Sequence, residues 1–298
     1  MKEGNNMNVL SLCDGMSGGQ IALKELGIEF DGIENKYFSM EIKDHAIKTT
    51  QLNFPNTIQL GDVNNFDISM LNGEKIDLFL CGSPCQNMSL INITKKTGIY
   101  GEKSSLFFKC VEIMKEVKPI YFLFENVYSM KNSDKEIFNK NLKVEPIYIN
   151  SSLVSAQERR RYYWTNIPNI SIPNDKNILL KDIIDYGSNR EENWSDKKTA
   201  FVERKSNSTM YVRVDGDKSL PITSRGYSAW NTQFVHDNGI LRDLTINEYK
   251  KLQTIPNWYL FGELRKSKIT DLIGDGWTID VISHILSFIP NLNTYKIN

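Results

Sequence analysis

Short apolar runs alternate with amphipathic stretches through the first half of the chain, the pattern of βα units around a mostly parallel sheet. Asn8–Cys13 (NVLSLC) reads as a strand, followed by a glycine-rich turn, Asp14–Gly19, and a helix over Gln20–Leu26 that Gly27 stops. A second strand is predicted at Glu29–Ile33, closing on the acidic Glu34. Further strands are predicted at Ile76–Cys81 (IDLFLC), Ile120–Glu125 (IYFLFE) and near Pro146–Ser151, with a helix over Leu106–Val117 between the first two. The ligand crevice of an open α/β sheet lies at the carboxyl ends of its strands, and each polar signature below sits at such an end.

After Tyr163–Ile167 the texture changes: residues of about 185–240 are polar and show little periodicity. A small irregular domain or long surface segments fit such a stretch. A helix returns at LTINEYKKLQ, with Thr245 as N-cap and Glu248 three residues on as the other half of a capping box. Trp277–Ile289 is amphipathic and is expected to pack back on the first domain. The expected division is therefore a catalytic, cofactor-binding domain over 1–182 and 268–298 and a smaller domain over 183–267.

Composition narrows the picture modestly. An apolar share of 40% over 298 residues suits a globular chain of one large or two moderate domains. Lys plus Arg and Asp plus Glu both number 36, so net charge lends no support to a polyanionic partner and leaves room for a local basic cleft. The four cysteines are too few for a disulfide framework, and Cys81/Cys85 lacks the second ligand pair of a structural zinc site; free thiols and no metal are expected. No apolar run reaches the ~18 residues of a membrane span, and Met1–Asn8 lacks a secretory hydrophobic stretch, so a cytoplasmic location is expected.

Several strand ends carry chemistry. In the turn Asp14-Gly15-Met16-Ser17-Gly18-Gly19, glycines let the backbone approach a nucleotide-like cofactor and the helix start offers N–H groups; a plain tight turn is the alternative. Glu34, with Asn35 beside it, is placed to accept from ribose hydroxyls, against a capping or solvated carboxylate. Asp62, followed by Val63, is a candidate acceptor for an adenine amino group. Gly82-Ser83-Pro84-Cys85-Gln86 puts a cysteine on a loop at a strand end, stiffened by proline, where a thiolate can act as a nucleophile. Glu125-Asn126-Val127 brings a carboxyl group out of an apolar run, where it could donate or share a proton with a substrate; a strand-end charge facing water is the alternative. If extended, Gln157-Glu158-Arg159-Arg160-Arg161 sets Gln157, Arg159 and Arg161 on one face, for phosphate or a base carbonyl; a basic surface run is the alternative.

Taken in order, these residues resemble the DNA (cytosine-5) methyltransferase family across nearly the whole chain. Leu241-Arg242-Asp243-Leu244-Thr245, Glu248, Leu252-Gln253 and Pro256 look like its late motif, and Ile273-Gly274-Asp275-Gly276-Trp277 like its last. The resemblance implies a Rossmann-like α/β fold, a mostly parallel sheet with helices on both faces, plus a small target-recognition domain. It implies S-adenosyl-L-methionine held by Cys13, Asp14, Gly15, Met16, Ser17, Gly18, Glu34, Asn35, Asp62, Val63, Gly82, Pro84, Asp275, Gly276 and Trp277. Cys85 would add to carbon 6 of a flipped-out cytosine, with Glu125 at N3, Arg161 at the carbonyl oxygen and Arg159 supporting both. Gln86 to about Lys103 looks like a mobile catalytic loop, with Ser89 in it, and the base must leave the duplex to be reached. Gln86, Ser89, Gln157, Arg204, Arg213 and Arg225 are the expected DNA contacts. Double-stranded DNA is the expected partner, a companion restriction endonuclease a candidate second one, and a monomer the expected state.

Two positions depart from the family pattern. Cys13 stands where a phenylalanine usually packs on adenine, and Asp275 where an asparagine is usual, both bearing on cofactor affinity. The competing readings are an RNA (tRNA) cytosine-5 methyltransferase and a non-catalytic DNA-binding or regulatory homologue; intact Cys85, Glu125 and Arg161 speak against the second.

Overall fold

The computed structural model describes residues 6–82, 102–191, 194–206 and 210–296. They form two compact units, one built from Met1–Ile149, Arg160–Ile172 and Ile282–Asn298, the other from Asn150–Arg159 and Pro173–Val281. The second unit thus takes in stretches on both sides of the 183–267 segment set apart by its sequence texture.

The first unit is a seven-stranded sheet. Its strands are β1 (Asn8–Leu12), β2 (Lys36–Met40), β3 (Ile58–Gln59), β4 (Leu78–Cys81), β5 (Tyr121–Val127), β6 (Ile147–Asn150) and β7 (Arg160–Thr165), in the order β3-β2-β1-β4-β5-β7-β6. β1 pairs in parallel with β2 and β4, as do β2 with β3 and β4 with β5; β7 runs antiparallel to β5. The central strands are buried on both faces, as their nearly unbroken apolar runs require. Leu10, Leu12, Phe38, Met40, Phe79, Cys81, Phe124 and Trp164 supply one face of the core. Phe107 and Cys110 of α3 (Glu102–Val117) and Phe138 of α4 (Asn132–Leu142) complete it. On the other face lies α1 (Gly18–Glu25); α2 (Asp44–Asn53) links β2 to β3. A Cβ at Gly19 would fall 2.3 Å from Leu80 Cδ1, so only glycine lets α1 cross β4 this closely.

The second strand is a correction. Glu29–Ile33 is not a strand: Asp31 Oδ1 accepts the N–H groups of Ile33, Glu34 and Asn35, and Gly32 takes a φ of +79°. This Asx-type turn delays β2 to Lys36. The chain therefore meets the end of β2 at Glu41, not at Glu34.

The second unit carries a small sheet of β8 (Arg213–Val214), β9 (Gln233–Asp237) and β10 (Ile240–Asp243), together with α5 (Asp196–Ser206), α6 (Ile246–Leu252) and α7 (Lys266–Asp275). The last helix, α8 (Ile279–Leu286), follows. Asn238 and Gly239, at φ +51° and +80°, make the two-residue turn of the β9–β10 hairpin, the backbone an Asn-Gly pair favours. The capping box stands as read: Thr245 Oγ1 accepts from Glu248 N–H and Glu248 from Thr245 N–H. Glu248 also takes two bonds from Arg242, whose Nε donates to Asp237 at 3.0 Å, so a guanidinium 1% exposed is held by two carboxylates. Among the described residues no helix is long and apolar enough to cross a membrane, and no group of three or more His, Cys, Asp or Glu is placed to hold a metal ion.

Candidate active site

The carboxyl ends of the parallel strands collect the candidate residues of the first unit. Between β1 and α1, Cys13, Gly15 and Ser17 all take left-handed φ, at 54°, 59° and 60°. Such a sequence of turns costs free energy at the two non-glycine positions and persists only where the surroundings hold it. Two carboxylates do so. Asp14 turns inward, where Oδ1 accepts from Ser11 Oγ at 2.5 Å and Tyr37 hydroxyl at 2.9 Å, and Oδ2 from Ser39 Oγ at 2.9 Å. Burial raises its pKa to about 6, against the lowering effect of those hydroxyls. Glu41, just past β2, accepts the Gly15 N–H at 2.8 Å and, on its other oxygen, the N–H groups of Ile42 and Lys43. Among the described residues a Cβ at Gly15 would meet nothing within 4 Å, so on their side the turn is open outward while its inner side is tied down.

Glu41 and Ile42 are functional candidates that the sequence reading missed. Glu41 follows the last residue of β2, next to the glycine turn, and Ile42 stands 70% exposed beside it. Glu34, by contrast, lies exposed in the turn before β2, at the other end of the strand. Asn35, expected beside the cofactor, is 1% exposed, accepts from Met7 N–H, and donates to the carbonyls of Glu29 and Tyr295. Asp62 caps a short 3-10 turn through Oδ1, which accepts from the backbone and side-chain nitrogens of Asn64. The Val63 side chain packs in the core, so only its backbone can face a ligand. Cys13 is half-buried, its thiol pushed up by a hydrogen bond with Cys110 and by burial. Gly82 follows β4 directly; Pro84, Cys85, Gln86 and Ser89 lie outside the described residues.

Glu125 near the end of β5 and Arg161 on β7 form an ion pair, Nε to Oε1 at 2.6 Å, with side-chain exposures of 11% and 15%. The register explains the meeting: Val127 pairs with Arg161 and Glu125 with Tyr163, so Glu125 and Arg161 are diagonal neighbours on one face. A charge pair this shielded, at a strand end, is a built feature of the sheet rather than a solvated surface contact.

The alternation expected to add Gln157 and Arg159 to that face does not extend so far, because β7 starts at Arg160. Gln157, expected at DNA, is fully buried in the second unit, donating to Leu252 carbonyl and Gln253 and accepting from Ile222 N–H. Arg159 donates to the carbonyls of Ile222, Gly274 and Gly276, bonds that tie together segments of the second unit. There a Cβ at Gly274 would lie 2.4 Å from the Thr223 and Ser224 backbone. The Gly276 carbonyl is held by Arg159 and Gln253, Asp275 is exposed and Trp277 half-buried. Arg204 and Arg225 are exposed, whereas Arg213 donates to Lys218 carbonyl and lies 3.5 Å from Glu158.

Solved structures with this fold include the methyltransferase EhMeth of Entamoeba histolytica (TM-score 0.74, 17% identity, 95% of this chain and 97% of that one). The DNMT2 of Spodoptera frugiperda is another (TM-score 0.70, 18% identity, 95% and 99%). Among curated proteins, the orphan methyltransferase M.Rho11sI of Bacillus phage rho11s is 31% identical over 207 residues, 62% of this chain and 38% of the phage protein. The type II methyltransferase M.NlaIV of Neisseria lactamica is 25% identical over 261 residues, 80% of this chain and 57% of that protein. The aligned part thus spans about 38% to 57% of these two relatives' length. The sequence model of C-5 cytosine-specific DNA methylases matches residues 7–291, and the chain belongs to that family.

Proposed function

We propose that this chain methylates carbon 5 of cytosine in double-stranded DNA, using S-adenosyl-L-methionine. The observation that carries the reading is the shielded Glu125–Arg161 pair at the carboxyl edge of a sheet whose glycine turn is open outward and braced inward. That turn fits an adenosyl group: Gly15 leaves room for close approach, the Glu41 carboxylate suits ribose hydroxyls, Ile42 offers apolar surface for a purine ring, and Asp62 has an oxygen not used in its cap. When bound, the cofactor supplies an electrophilic methyl group.

Carbon 5 of cytosine is a poor nucleophile until addition at carbon 6 breaks the ring's aromaticity. In the proposed mechanism the Cys85 thiolate forms a C–S bond at carbon 6. Glu125 hydrogen-bonds N3 and the amino group, drawing the ring's electrons, while Arg161 orients Glu125 and faces the base carbonyl oxygen. Once carbon 5 is methylated, loss of its proton restores the double bond and breaks the C–S bond. The base enters this site flipped out of the duplex. The second unit would read the target, with exposed Arg204 and Arg225 as base or phosphate contacts.

The test is covalent trapping on duplex DNA containing 5-fluorocytosine, with tritiated S-adenosyl-L-methionine, read on a denaturing gel. Fluorine at carbon 5 cannot leave as a proton, so the protein stays attached. A labelled protein–DNA band that disappears in Cys85→Ala is expected; a band unchanged in Cys85→Ala, or none from the parent chain, rejects the mechanism.

A further inference from the structure

The sheet face opposite Glu125 and Arg161 carries three tyrosines that no step above uses. Tyr128 follows β5, Tyr148 lies on β6 at the sheet edge, and Tyr162 lies on β7, one residue from Arg161 and so on the other face. Their ring centroids are 4.9 Å (Tyr128–Tyr148), 5.0 Å (Tyr128–Tyr162) and 6.4 Å (Tyr148–Tyr162) apart, a closed trio. Inward, Tyr162 stands 5.7 Å from Trp164, which continues to Phe138 in the core, so the trio is rooted in rigid packing. Outward, Tyr128 and Tyr148 remain 43% and 41% exposed.

Cations border the rings. Lys135 Nζ sits 5.7 Å from the Tyr162 ring centre, and exposed Lys131 precedes α4, three residues past Tyr128. Exposed Arg160 shares the Tyr162 face by alternation, and its carbonyl accepts the Tyr128 N–H.

We propose that this platform binds single-stranded DNA, bases stacking on Tyr128 and Tyr148 and phosphates meeting Arg160, Lys131 and Lys135. Open π faces bordered by cations are what sequence-tolerant single-strand binders present. An intact duplex keeps its base faces stacked inward, out of reach of these rings. The choice of DNA rests on the function proposed above; the choice of a single strand rests on the rings.

The test is fluorescence anisotropy of a labelled oligodeoxythymidylate titrated with the full chain at several salt concentrations. Tyr128→Leu and Tyr148→Leu, which keep apolar bulk and lose the ring, should each weaken binding about tenfold or more. Arg160→Gln should weaken binding and flatten its salt dependence by about one contact. Binding of S-adenosylhomocysteine by the same variants, read by calorimetry, should stay unchanged and shows that they fold. Oligonucleotide affinity unchanged in both tyrosine variants, or no binding by the parent chain, overturns the proposal, and tighter binding of oligouridylate with the same tyrosine dependence overturns the choice of DNA. The trapping assay separates the two claims: trapping with ring-independent binding rejects the platform alone, and ring-dependent binding without trapping rejects methyl transfer alone.

Discussion

Replacing Asp14 by Asn should change the pH dependence of stability in a direction fixed by the geometry. The folded chain holds the Asp14 proton more tightly than an unfolded chain does, with a pKa raised from 3.8 to about 6 because burial disfavours the charged form. Between those values the folded state binds a proton the unfolded state has released, so this group's contribution is fully present below pH ~4 and is lost as pH rises through ~6. Roughly two pH units at ~1.36 kcal/mol each correspond to about 3 kcal/mol. An amide can keep the bonds: Oδ1 accepts from Ser11 and Tyr37, and Nδ2 donates to the Ser39 hydroxyl, which accepts as readily as it donates. Asp14→Asn should therefore gain on the parent chain as pH rises, by up to about 3 kcal/mol between pH 4 and 7. Thermal and urea melts of both proteins across that range, at constant ionic strength, measure the gap. A gap that stays constant with pH would refute the argument, since the ionisation of Asp14 would then carry no cost in the fold.

Other consequences are as direct. Glu41→Gln should weaken S-adenosylhomocysteine binding about tenfold, and Glu34→Gln should leave it unchanged; calorimetry that reverses this order restores Glu34 to the site. Arg159→Met strands the carbonyls of Ile222 and Gly274, leaves Gly276 with Gln253 alone, and should cost about 3 kcal/mol in urea unfolding. Gly274→Ala drives a methyl group into the Thr223 and Ser224 backbone and should lower the melting temperature by several degrees, where a surface Gly→Ala such as Gly73→Ala has open space but a φ of +79° and should cost less.

The legible part of this molecule was local. The strand and turn at Asn8–Gly19, the apolar run into Glu125 and the Thr245–Glu248 box each need only neighbouring residues to be read, and each stands in the structure. No strand forms at Glu29–Ile33 because Asp31-Gly32 carries turn chemistry that displaces β2 and puts Glu41, not Glu34, just past its end. The Asn238-Gly239 dipeptide carries the same kind of local turn chemistry and closes the β9–β10 hairpin. Gln157 and Arg159 could not be placed from sequence. Their side chains answer to Gln253, Ile222 and Gly274, more than sixty residues away, and an alternation rule holds only as far as the strand does.

The crossing at Gly19 ties two tasks to one wall. Leu80, the side chain that fills the place of a Cβ at position 19, sits two residues before Gly82 at the root of the segment bearing Cys85. The helix start that finishes the glycine turn and the strand that leads to the proposed nucleophile thus share a surface with no slack between them. A mutation that tilts α1 to suit a different cofactor would push on β4 as well, so on the proposed mechanism donor preference and the placement of Cys85 are hard to alter separately. Redesign of this chain for a bulkier methyl-donor analogue has more freedom at Gly15 and Ile42, where added or removed volume does not run into Leu80 and, among the described residues, a Cβ at Gly15 meets nothing.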